Sequence, residues 1–174
     1  MSSAADRYRR WFAYEQDSHA KMLAALAAVT EELREREAYR QAVTLMAHIV
    51  AARRLWLARF GLTANVPADF APQQVADFFP ENISLAEVAA RVDETQAIWA
   101  RYLDGLTDAE LARVFEYRSL EGPRFRNTIE EILTQLFGHS LYHRGQIAML
   151  LRSIGAEPPV TDFVFWAREP VPEA

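Results

Sequence analysis

The chain has 174 residues, 51% of them hydrophobic and 25% charged, with 19 basic against 24 acidic side chains and a net charge of -5. These proportions suit one soluble domain over residues 1–174 with a substantial core, and the acidic balance offers no global positive field for nucleic acid. No apolar run is long enough to span a bilayer and no signal-like segment follows the polar start, so a cytoplasmic protein away from membranes is expected; the absence of cysteine excludes disulfides, thiolate ligands and a cysteine nucleophile.

From about Ala5 to Val29, apolar residues at Tyr8, Trp11, Phe12, Met22, Leu26 and Val29 recur at helical spacing and predict a long amphipathic helix. The charged run Thr30 to Glu37 reads as a turn. A second helix is expected over Tyr39 to Phe60, with Val43, Leu45, Ile49, Ala52 and Trp56 inward and Gly61 ending it. Residues 62 to 83 carry Pro67, Pro72 and Pro80 without sustained periodicity and read as a long connection across the outside of the bundle.

Ser84 and Glu87 have capping-box spacing and open a third helix through Val88, Val92, Thr95, Trp99 and Leu103, which stops near Gly105. Thr107 to Arg113 supply a further helical turn, and Val114–Tyr117 and Phe125–Arg126 flank Leu120-Glu121-Gly122-Pro123 as a short hairpin. Thr128 and Glu131 repeat the capping box and open a fourth long helix that runs to Gly155. The aromatic tail Thr161 to Trp166 is expected to pack on the bundle or on a partner.

Four long helices with one long connection define an all-α four-helix bundle with a short β-hairpin before the fourth helix. Two of the chain's four histidines, His139 and His143, stand four residues apart on that helix, so their imidazoles lie one above the other. Helical projection puts both in the sector of Ile132, Leu136, Ile147 and Ile154, facing the core, and puts His48 beside Leu45, Ala52 and Trp56 on the second helix. Each buried neutral ring leaves a donor and an acceptor to satisfy. Two readings meet that need. Either each histidine is bonded to a hydroxyl, carbonyl or water, or the three share one metal ion through one nitrogen each.

Three histidines without cysteine suit Zn²⁺, Ni²⁺ or Fe²⁺, and three protein ligands leave a coordination position open for chemistry. On the first helix Glu15 and His19 interrupt the apolar stripe. Glu15 is a candidate fourth ligand, hydrogen-bond acceptor for a ligand histidine, or catalytic base; alternatively it forms an ion pair with His19 at a wet bundle end. Gly138 and Gly145 share the opposite face of the fourth helix, where close approach of another backbone explains them, and Leu141 and Met149 extend an apolar surface there. That face suggests a homodimer.

The segments Ala47-His48-Ile49-Val50-Ala51-Ala52 leading to Trp56-Leu57, His139-Ser140-Leu141-Tyr142-His143-Arg144-Gly145-Gln146-Ile147, and Thr161-Asp162-Phe163 together resemble the DinB-like (DinB/YfiT) superfamily of four-helix-bundle metalloproteins. The resemblance covers nearly the whole chain. It implies that His48, His139 and His143 bind a divalent metal, that the bundle runs up-down-down-up with a long crossover between helices two and three, and that the protein forms homodimers. It further implies a metal-dependent enzyme acting with a low-molecular-weight thiol cosubstrate. His19 stands where the family often has asparagine, so the pocket beside the metal, which His19 and Trp56 are candidates to line, differs from the family pattern.

The leading expectation is thus a metal-dependent thiol S-transferase or hydrolase in which zinc or nickel, or iron, activates an exogenous thiol or water on a small-molecule substrate. The alternative is a non-catalytic, metal-stabilised module that binds a small ligand or serves in a stress response. A purely structural metal in a helical dimer is the third.

Overall fold

The computed structural model describes residues 3–172; residues 1, 2, 173 and 174, part of the expected domain, lie outside the described residues. Helix α1 (Ala4–Ala28) opens on a box in which the Ser3 hydroxyl accepts from Asp6 N–H and the Asp6 carboxylate accepts from Ser3 N–H. The charged run after it contains one short helix, α2 (Glu31–Arg34), rather than a turn alone. Helix α3 (Glu37–Arg59) begins two residues before the predicted Tyr39 and ends where Gly61 takes a left-handed φ of 74°.

The crossover 62–83 holds no long helix, only a 3₁₀ turn at Val75–Phe78 whose Asp77 carboxylate accepts from the N–H groups of Gln73 and Gln74. Helix α4 (Leu85–Asp104) carries the predicted Ser84–Glu87 box, and α5 (Asp108–Ala112) is capped by the Thr107 hydroxyl. Strands β1 (Val114–Arg118) and β2 (Arg124–Thr128) pair antiparallel, Tyr117 opposite Phe125 and Val114 opposite Thr128. Helix α6 (Ile129–Ser153) starts on the predicted Thr128–Glu131 box, and α7 (Phe163–Ala167) forms within the aromatic tail.

Contacts between ends fix the directions of the four long helices. Tyr8 near the start of α1 meets Glu130 and Thr134 near the start of α6, so these two run parallel. Arg9 bonds the Leu103 carbonyl at the end of α4, so α1 and α4 are antiparallel. Phe60 after α3 packs on Trp99 and Tyr102 near the end of α4, so those two are parallel. The result is the up-down-down-up bundle, with the proline-bearing segment making the crossover that parallel neighbours require.

The core is split into two apolar clusters. One gathers Tyr8, Phe12, Leu57, Trp99, Leu103, Ile132 and Leu136, and the other Met22, Leu26, Val43, Met46, Val50, Val92, Ile147 and Leu151. Between them, at mid-bundle, lie Glu15, Ser18, His19, Arg53, Ser140 and Arg144, all buried. A bundle that spends its central layer on polar side chains forgoes apolar burial of about 1.5 to 3 kcal/mol per residue there. Such a layer is where a site is to be sought.

Candidate metal centre

His48 comes from the middle of α3, and His139 and His143 from adjacent turns of α6, which packs against it. The three rings lie with centroids 4.8, 4.6 and 4.4 Å apart, and one nitrogen from each falls within 4.8 Å of the others. The Nε2 atoms of His48 and His139 face each other at 2.9 Å. Two imidazole nitrogens at that distance share either one proton or one cation.

A zinc ion at about 2.0 to 2.1 Å from each nitrogen places tetrahedral ligands about 3.3 Å from one another, so this donor set would close on an ion by rotation of the rings. The three histidines therefore form a group that can hold a metal.

Each ring is held differently. His143 directs Nδ1 to the Gln146 side-chain carbonyl at 2.6 Å, one helical turn on, which leaves its Nε2 for the centre. His48 lies flat against Phe79, with centroids 4.4 Å apart and planes 11° from parallel. Its Nδ1 has no partner of hydrogen-bonding geometry. His139 is packed against the other two histidines.

Burial first, and then the neighbouring His143, push the pKa of both His48 and His139 down to about 4, and the Arg53 guanidinium adds to the effect on His139. Both rings are neutral near pH 7, the form in which imidazole donates a lone pair to a metal.

Glu15 and His19 do not join the three histidines; the group contains no carboxylate. Glu15 forms a buried ion pair with Arg53, and neither side chain is more than 6% exposed. It is not paired with His19, and it lies at mid-bundle rather than at a wet end, because Arg53 of α3 projects into the same polar layer. His19 is buried and neutral: burial, then the Arg144 guanidinium, lowers its pKa to about 3. Its Nδ1 accepts weakly from the Gln96 amide at 3.4 Å. Trp56 lies two turns beyond His48, packed on Tyr117 and Phe60 with Arg59 over its face.

Gly138 and Gly145 do not mark close backbone approach within the chain. A Cβ built at either meets nothing within 4 Å, so that face of α6 is open. The tail packs as expected, with Phe163 and Trp166 set edge-on to buried Tyr14. The Tyr14 hydroxyl donates to the Thr161 carbonyl and accepts from Arg144 at 2.7 Å.

Sequence reasoning missed Arg53, Phe79 and the role of Gln146. Arg53 carried a signal, a charge inside the apolar run Ile49 to Leu57 on the helix that bears His48. Gln146 stood three residues after a candidate ligand, at side-chain reach on a helix. Phe79 carried none, since only tertiary packing brings the crossover onto His48.

Fold and site together define an all-α bundle with a three-histidine candidate metal centre at its middle. Residues 1–171 match the profile of the DinB family, and the chain belongs to that family. No curated protein and no solved structure matches the chain. Among the described residues no helix is long and apolar enough to cross a membrane.

Proposed function

We propose that the protein is a metal-dependent enzyme of thiol-transferase or hydrolase type, in which His48, His139 and His143 hold a divalent ion and an exogenous low-molecular-weight thiol or water is the nucleophile. The observation that carries this reading is the convergence of three imidazoles from two helices in a chain without cysteine. A bound zinc, nickel or iron ion supplies Lewis acidity and lowers the pKa of the nucleophile at its open position. The chain's own residues set the ligands: Gln146 fixes the tautomer of His143, Phe79 holds the plane of His48, and burial keeps His48 and His139 unprotonated.

Metal analysis of the purified chain tests the first half, with near one equivalent of zinc, nickel or iron expected and His139→Ala losing it. A screen of thiol cosubstrates tests the second half; metal loading without turnover by any thiol or by water points to the non-catalytic ligand-binding or stress-response reading. One observation favours that second reading: Glu15, the candidate base, is held by Arg53 and stands outside the histidine group.

We also propose a homodimer through the open face of α6. Leu141, Tyr142 and Met149 are exposed there beside Gly138 and Gly145, which leave room for a second helix. Sedimentation giving a dimer mass that Gly145→Glu reduces to the monomer is the expected result.

A further inference from the structure

Among the described residues, eight of the ten buried polar atoms that lack a partner belong to the mid-bundle layer and to Trp99 beside it, on Glu15, Ser18, His19, Arg53, Trp99, Ser140 and Arg144. Three of these residues, Glu15, Arg53 and Trp99, line one narrow crevice of about 30 Å³ between the four long helices, walled otherwise mainly by apolar and aromatic side chains such as Trp11, Leu136 and Phe137. Each brings a partnerless buried atom: Glu15 Oε1, Arg53 Nε and Trp99 Nε1. Of the other lining residues with a polar atom, Trp11 is only partly buried and Tyr8 has its hydroxyl engaged by Thr134 at 2.6 Å.

The crevice has the room of about one water molecule and none for an organic ligand. Its unmet groups are two donors and one acceptor. A water accepts two hydrogen bonds and donates two, so one molecule has the valence to serve all three. An anion has no proton to give the Glu15 oxygen, and a metal cation cannot accept from two N–H groups. The Glu15–Arg53 pair that lines the crevice sums to zero charge. Left unmet, each of the three groups keeps the full cost of its desolvation.

We propose that this crevice is a built hydration site holding one ordered water, which accepts from Trp99 Nε1 and Arg53 Nε and donates to Glu15 Oε1. The site is independent of the metal reading. It fixes both oxygens of Glu15, one on Arg53 and one on the water, and anchors the guanidinium whose charge acts on His139. In that arrangement α1, α3 and α4 are joined through a single solvent molecule behind the histidines.

The test uses the full chain. A water-selective nuclear Overhauser experiment on the Trp99 indole N–H, assigned as the signal lost in Trp99→Phe, is expected to show a cross-peak to a long-lived water. An indole proton without water contact overturns the proposal. Should Trp99→Phe fail to fold, a high-resolution crystal structure of the unaltered chain grown with bromide decides. One non-anomalous peak within about 3.2 Å of all three atoms supports the site. An empty crevice, or an anomalous bromide peak in it, overturns it.

Discussion

At the scale of single residues, the three histidines differ in how firmly they are aimed, and that difference is testable. His143 alone has its Nδ1 fixed by a side chain, Gln146 at 2.6 Å. Partners of this kind commonly contribute 10- to 100-fold in metal affinity. Gln146→Ala is therefore expected to weaken zinc binding by about that factor in a calorimetric titration while leaving helix content unchanged; unaltered affinity refutes the orienting role. Glu15 and Arg53 make a second residue-scale case. Removing one member strands the other charge in the core, which costs about 3 to 5 kcal/mol, whereas replacing both leaves no orphan charge. Urea unfolding should show Glu15→Gln and Arg53→Met each strongly destabilised and the double variant losing less than the sum of the two. Spacing and projection made the histidine triad legible, because two periodicities on two helices point to one interior. The partner of Glu15 was not, since an ion pair across α1 and α3 depends on how far each helix slides past the other, and periodicity carries no information on that slide.

At the scale of elements, the helix starts are the best-determined features. Ser84 with Glu87 and Thr128 with Glu131 are boxes in which both reciprocal bonds form. They were legible because a cap is a local matter of four residues. Thr128 also ends β2, so one residue both closes the ribbon and opens the helix carrying His139 and His143. Thr128→Ala is expected to cost about 1 kcal/mol, read as a lowered urea midpoint with unchanged slope. A loss confined to the ribbon, with α6 keeping its amide protection, contradicts the capping role. The crossover was legible as a connection but not as a wall of the site. Its prolines mark where helices stop; that Phe79 ends up flat on His48 follows from the parallel packing of α3 and α4, which stretches the segment across the α3 face.

At the scale of the whole molecule, the bundle keeps a titratable ring deep in its polar layer, and acid sensitivity follows. His19 is fully buried, with burial and then Arg144 holding its pKa near 3, whereas an unfolded histidine titrates near 6.5. A folded pKa below the unfolded one means that the unfolded chain binds the proton more readily. The contribution of His19 to stability is thus complete above about pH 6.5 and is lost as pH falls from there towards about 3. At pH 5 the proton taken up by the unfolded chain removes about 2 kcal/mol, the product of about 1.5 pH units and 1.36 kcal/mol per unit. His48 and His139 are displaced in the same direction and steepen the loss in metal-free protein. Replacing His19 by glutamine, which keeps an amide for Gln96 but cannot take the proton, isolates its share. Urea unfolding at pH 7 and pH 5 should show the original chain losing about 2 kcal/mol more than His19→Gln between the two conditions. Equal losses in both proteins would mean that His19 is protonated in the folded bundle at pH 5, with Glu15 or another group of the layer compensating its charge.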